Sequence, residues 1–380
     1  MKRTGMMAVS FLVVAGVVAG MILTKQFQAA PRAEGVDLQE AADLAALAQV
    51  GPVDTHAHVF QDVAAYYRMM KQLNLRIVDI CVVGRKDEPP YQTQAAQFRM
   101  AMTVHNHSGG RAAVCTTFDP YKFQDKDFDR NTIDIINGNF REGAIAVKIW
   151  KNMGMDLRSP SGQYVMPDDP VFEPIYKDIA AHGKTMIAHL AEPDTCWESF
   201  AQMGPMNPDY NYYKNNPYWH FYGKPGVPSK AEILKARDHI LAENPHLRVV
   251  GAHLGSMETN VDEIARRLDR YPNFAVDTAA RIRYLMAQPR AKVRAFLIKY
   301  QDRICYGTDG EIRHNDNAAE VIKRWKYDYA MSWKYFATDE TFEYEGLKVR
   351  GLDLPRSVVR KIYHGNAVRW FPGLIGEASR

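Results

Sequence analysis

Eight short apolar runs rich in β-branched residues recur along the chain: VDTHAHVF (53–60), LRIVDICVV (75–83), AAVCTTFD (112–119), AIAVKIW (144–150), KTMIAHL (184–190), LRVVGAHL (247–254), NFAVDTA (273–279) and DRICYGTD (302–309). Seven longer segments with helical periodicity separate them, and another, LPRSVVRKIYHGNAVRWF (354–371), follows the last. Strands that are apolar on both faces belong to a sheet covered on both sides, and intervening helices make that sheet parallel. Eight such units predict an α/β fold closed into a (β/α)8 TIM barrel rather than a doubly wound open sheet. The pattern assigns residues 51–375 to the barrel. Long loops are expected at 191–229, which is rich in Trp and Tyr, and at 310–353, with a hairpin around FEYEGLKVRGL. The first of these follows the fifth run, on the side where barrel sites open.

The N-terminus bears on compartment. Lys2 and Arg3 precede 21 uncharged residues, Thr4 to Thr24, that include FLVVAGVVAGMIL. That run is long enough to cross a bilayer, and positive charge ahead of it leaves the rest of the chain outside. Residues 1–30 are therefore expected to be a signal peptide or transmembrane anchor, and 31–50 a linker ending in a short amphipathic helix. The protein is expected to be exported, periplasmic or otherwise extracytoplasmic, and held at the membrane by this segment where it is not cleaved. Cys81, Cys115 and Cys305 fall inside separate strands and Cys196 in a loop, which reads as core cysteine rather than a disulfide framework.

Charge excludes one class of partner. Lys+Arg minus Asp+Glu is 48 − 44 = +4, and Lys2, Arg3 and Lys25 are the only charges before residue 31, so the remainder carries 45 − 44 = +1. No nucleic-acid binding is expected from so balanced a chain, and the expected partner is a small-molecule substrate.

Residues that carry chemistry gather at strand ends. His56 and His58 end the first run, where a period of two puts both imidazoles on one face. The second His-x-His pair, His105 and His107, closes a helical stretch and reads as surface or helix C-terminal cations. His189 ends the fifth run, His253 the sixth and Asp309 the eighth. Barrel strands converge at their C-terminal ends, so these five residues from four strands face one volume. Imidazoles and a carboxylate form an N/O donor set suited to zinc, with iron, manganese or nickel also possible.

VDTHAH, IAHL, AHLG and YGTD, in this order, resemble the amidohydrolase superfamily, and GAIAVKIW with HGNAVRWF resembles its amidohydrolase-related (amidohydrolase 2) branch. That branch includes metal-dependent hydrolases, lactonases and nonoxidative decarboxylases, and the similarity covers roughly residues 51–372. Carried over residue by residue, the resemblance implies His56, His58, His189 and Asp309 as metal ligands. It also implies a catalytic role for Asp309, and for His253 a role as second ligand or as proton-transfer and substrate-polarising group. Lys148 ends the fourth run, where some superfamily members carry a carboxylated lysine bridging two metals. The reading here is one divalent metal, zinc first, with a second only if Lys148 is carboxylated. Unmodified, Lys148 binds an anionic substrate or points away. Arg281 and Arg283, after the seventh run, are candidate clamps for a substrate carboxylate, and Asp277 a residue that orients one of them or His253.

The expected reaction is hydrolysis of an amide, ester or lactone of a small, possibly ring-containing substrate. Asp309 takes a proton from a water activated by the metal, and His253 stabilises the developing oxyanion. Nonoxidative decarboxylation of an aromatic or unsaturated acid uses the same donors and is the alternative. A non-catalytic binding barrel, with the aromatic loop as a stacking platform, is the third reading.

Overall fold

Each of the eight expected runs contains a strand. In chain order they are β1 Val53–Val59, β2 Arg76–Ile80, β3 Ala112–Thr117, β4 Ala146–Ile149, β5 Thr185–Ala188, β6 Arg248–Gly251, β7 Phe274–Asp277 and β8 Ile304–Cys305. A ninth, β9 Gly310–Ile312, follows at once. The computed structural model describes residues 34–87, 92–204 and 207–375. The expected signal peptide or anchor at 1–30 lies outside the described residues, within which no helix is long and apolar enough to cross a membrane.

The sheet is parallel and curled in the manner of a TIM barrel, with strand order β8-β7-β6-β5-β4-β3-β2-β1-β9. The eighth run is not strand throughout. Its strand, β8, covers only Ile304–Cys305 and pairs with β7, and β9, just past the run, pairs with β1. Between them, Thr55 N donates to Tyr306 O (2.8 Å) and Asp309 N to His56 O (2.8 Å), so one stretch of chain joins both edges of the sheet. The interruption is chemical in origin: YGTDG places a left-handed Asp309 (φ 63°) before Gly310, which breaks extended backbone.

Strand alternation sorts the core into two layers. Val53, Val78, Ile80, Cys115, Ala146, Ile187, Val250, Ala275 and Cys305 form an inner cluster with Trp370, Phe371 and Leu374, which come from the C-terminal segment. Ala57, Ile77, Val147, Met186, Val249, Val276 and Ile304 pack outward against the helices. Lys148, His189 and Asp277 each continue the inward parity of Ala146, Ile187 and Ala275, so a period of two delivers all three to the mouth. β1 needs a correction to that period. Val53 faces in and Ala57 out, which no unbroken strand allows, and a register irregularity between Asp54 and Ala57 supplies the shift.

The segment before the barrel is helical over Glu34–Gln49; Leu47 is buried, and the buried Asp43 pairs with Lys334 at 3.4 Å. Within 310–353 the chain forms β9, a 20-residue helix Ala318–Ala337 and the hairpin β10 Thr341–Tyr344 with β11 Leu347–Arg350. Within 191–229 it forms short helices at Phe200–Met203 and Asp209–Asn215. All four cysteines are buried and free.

Gly310 shows how closely the long helix is seated. A Cβ there would lie 1.6 Å from Nε1 of Trp325, itself 3% exposed and without room to swing away. Gly310→Ala is expected to destabilise the metal-free protein by about 3 kcal/mol, read as a lowered urea midpoint at unchanged slope.

Candidate metal centre

β1 turns His56 and His58 inward, and both rings are fixed from behind. The Nδ1–H of His56 donates to Oδ2 of Asp277 (2.8 Å), and that of His58 to the Ile80 carbonyl (2.8 Å). Carbonyls and carboxylates only accept, so each ring carries its proton on Nδ1 and aims an Nε2 lone pair into the mouth. Both meet Asp309: His56 Nε2 lies 3.3 Å and His58 Nε2 3.4 Å from its Oδ1.

His253 reaches the same place by strained backbone. Ala252 belongs to the inner cluster, so alternation would send His253 outward. Left-handed conformations at His253 (φ 58°), Leu254 (φ 57°) and Ser256 (φ 56°) turn the chain, at about 1–3 kcal/mol per residue. Asp277 Oδ1 holds this turn by accepting from His253 N (2.8 Å) and Ala279 N (3.1 Å). His253 Nδ1–H donates to the Ala279 carbonyl (2.9 Å), and its Nε2 lies 3.1 Å from Nδ1 of His189. With Nδ1 protonated, His253 Nε2 is an acceptor; the ring fits a ligand or proton acceptor, not the oxyanion donor expected from sequence.

Ligand atoms of His56, His253 and Asp309 all lie within 4.8 Å of one another. His58 joins through Asp309 and His189 through His253, so the structure brings the five strand-end residues into one cluster. Nitrogen lone pairs of His56, His58 and His253, locked by hydrogen bonds on the far side of each of these rings, together with one carboxylate, fit a divalent cation of the zinc type. Lys148, fully buried, places Nζ 3.1 Å from Nε2 of His56.

Protonation states match that use. Burial pushes the His56 and His189 imidazoles below their ordinary value, His189 far below, and His253 down to about 3. Burial alone would raise the Asp309 carboxyl, but His253, His58 and His56 around it hold it well below the usual carboxylate range. His58 moves up, because Asp309 outweighs its desolvation. Lys148 is lowered by burial to about 8. Neutral imidazoles and an ionised carboxylate are the forms that bind metal.

The cluster floors a cavity of about 750 Å³. Arg281 lines it; burial would lower its pKa, but Asp209, Tyr284 and Glu258 hold it above the ordinary value, and its buried Nε has no hydrogen-bond partner among the described residues. Arg283 lines the cavity too. Its Nε and Nη2 donate to the Glu345 carbonyl (3.3 and 3.2 Å) at the tip of the β10–β11 hairpin, so it anchors that tip to the cavity wall. His105 and His107 lie in the last turn of the helix Gln94–His107, where His107 pairs with Asp62 at 2.9 Å.

Other residues lining the cavity were not singled out from sequence. Lys151 pairs with Glu192 in a buried contact, donates to the Tyr212 hydroxyl (2.7 Å) and lies 4.4 Å from the Trp219 ring. Both members follow strands that carry site residues, β4 and β5, and that placement was the available signal. Trp325 and Asp328 come from the helix Ala318–Ala337, whose buried Ile322, Trp325 and Tyr329 repeat at three and four residues.

A family model described as Amidohydrolase matches residues 141–373. No curated protein matches the sequence. Among solved structures, an uncharacterized TIM-barrel protein from Bordetella bronchiseptica is 15% identical, with 90% of this chain and 92% of that chain covered and a TM-score of 0.47. 2,6-Dihydroxybenzoate decarboxylase from Rhizobium is 14% identical over 84% of this chain and 98% of that one, with a TM-score of 0.49. Dihydroorotase from Campylobacter jejuni is 9% identical over 84% and 82%, with a TM-score of 0.43.

The shifted imidazoles make acid stability a test of this geometry. Below the ordinary histidine value of 6.5 the unfolded chain takes up protons that the folded His56, His189 and His253 refuse. Stability of the metal-free protein is therefore expected to fall as pH drops from about 7 toward 4, with His58 opposing. His253→Asn should flatten that slope in urea titrations, and an unchanged slope would contradict the assignment.

Proposed function

Because the chain belongs to the amidohydrolase family, we propose that it is a metal-dependent hydrolase cleaving an amide, ester or lactone of a small, ring-containing substrate. The observation that carries this reading is the convergence of His56, His58, His189, His253 and Asp309, with the ring protons of His56, His58 and His253 turned outward. These residues would hold one divalent cation, zinc by donor type. Bound there, it supplies Lewis acidity toward a water and a substrate carbonyl.

The chain's own residues then have distinct tasks. Asp309, ionised and with its side chain 31% exposed toward the cavity, accepts the proton of the attacking water and returns it to the leaving group. Asp277 keeps the His56 proton on Nδ1 throughout, and the Ala279 carbonyl does the same for His253. Arg281 and Lys148 are the proposed contacts for an anionic substrate group, and the unpartnered Nε of Arg281 supports that use. Lys148 is read as unmodified, with a second metal only if it is carboxylated.

The same two cations favour a second reading, nonoxidative decarboxylation, in which they hold a carboxylate beside the metal. Metal analysis of the purified protein is expected to give at least one transition metal per chain, and chelation followed by metal return should abolish and restore turnover. Asp309→Asn should lower hydrolysis of a lactone, ester or amide panel by about 10²–10⁴. Carbon dioxide release from aromatic acids without turnover of that panel would replace the hydrolase reading with the second.

A further inference from the structure

Asp54 has no task in the reaction above, yet it is fully buried and receives four donors. Its Oδ1 accepts from His56 N (3.1 Å) and Thr308 N (3.0 Å). Its Oδ2 accepts from the Thr308 hydroxyl and from the Tyr329 hydroxyl (3.0 Å). We propose that Asp54 is a positioning residue of the metal centre, tying together from behind the barrel wall the two strand ends that present His56 and Asp309.

The argument runs through the backbone. Asp54 stands on the outward side of the register irregularity that turns His56 inward, and its bond to His56 N closes that irregularity. Thr308 immediately precedes Asp309, whose left-handed backbone (φ 63°) is unfavourable for a residue with a Cβ. Four bonds restrain that turn from different sides: two from Asp54, on the Thr308 amide and hydroxyl, one from Gly310 N to the Thr308 hydroxyl (3.0 Å), and one from Asp309 N to His56 O (2.8 Å). Tyr329 fixes the far oxygen of Asp54 from the helix Ala318–Ala337, so that helix is linked to the site without touching a ligand.

Only a carboxylate offers two acceptor oxygens here. An asparagine of equal size keeps one oxygen and turns an NH2 toward groups that themselves donate. Outer partners of this kind commonly change metal affinity by about 10–100-fold.

The inference rests on the metal reading for one of its readouts. In full-length Asp54→Asn, competition with a chromophoric chelator is expected to show zinc affinity lowered by about tenfold or more, with a shifted visible spectrum of the cobalt-loaded protein. Hydrogen exchange in the metal-free protein should quicken in peptides spanning 53–59 and 304–312 and stay unchanged elsewhere. Thr308→Val and Tyr329→Phe, each removing one hydroxyl donor, should fall between wild type and Asp54→Asn, and they carry the test if Asp54→Asn does not fold. Wild-type affinity and spectrum in the variants overturn the proposal even if exchange quickens, since Asp54 would then only brace the fold. If the wild type takes up no metal, the hydrolase reading fails separately. A variant crystal structure then decides the positioning role: Asp309 displaced from His56 and His58 supports it, and Asp309 in place overturns it.

Discussion

The buried carboxylate of Asp277 is the fixed point of this molecule. One oxygen takes the Nδ1 proton of His56, and the other takes the amides of His253 and Ala279. It therefore sets a tautomer on one strand and stabilises a left-handed turn on another. Burial would raise its pKa, but His56 beside it, with further help from His253 and Lys148, keeps it lowered. Removing that charge would leave an imidazole free to flip and a strained turn without its acceptor, so the donor set and the backbone that carries it depend on the same group.

Strain is concentrated where the donors are. His253, Leu254 and Ser256 after β6, Ala280 after β7, Asp309 after β8 and Ala191 after β5 all have positive φ without being glycine. Regular strands end by pointing side chains alternately in and out, which supplies at most one inward residue at each final pleat. Lys148, His189 and Asp277 come from that simple geometry. The others need a bulge or a left-handed turn, and the surrounding hydrogen bonds over-determine those conformations. The rigid inner cluster below, closed by Trp370 and Phe371, provides a platform that does not move to relieve them.

That division explains what was legible in the sequence. Apolar runs and their spacing are local properties, so eight strand positions and the convergence of His56, His58, His189, His253 and Asp309 could be read directly. The break between β8 and β9 was legible only in part: YGTDG is local, but Trp325 packed on Gly310 and the tie from Asp54 to Thr308 join distant parts of the chain. A role for Asp54 is not readable from sequence, since a strict period of two puts it on the same face as His56 and His58 and hides the irregularity that separates them. Arg283 resembled a substrate clamp by position, yet its donors go to the tip of a hairpin 62 residues later. The helix Ala318–Ala337 was hidden in a stretch that lacked the contrast of the earlier helical segments, because its buried positions mix Trp325, Tyr329 and Tyr335 with the polar Ser332 and Lys334.

Lys148 shows how the centre balances charge before any cation arrives. Its Nζ points at the same Nε2 lone pair of His56 that a metal would use, with Asp309 and Asp277 near enough to favour its protonated form. Burial works against that form and brings its pKa to about 8. An arriving dication would add repulsion at a few ångströms, so the ammonium would have to leave the His56 lone pair, and an anionic substrate group beside the metal would be what keeps it charged nearby. The lysine and a bound cation would thus compete for one lone pair. That competition accounts for a buried lysine among imidazoles more economically than packing does, since a methionine would fill the same space without the cost of desolvating a charge.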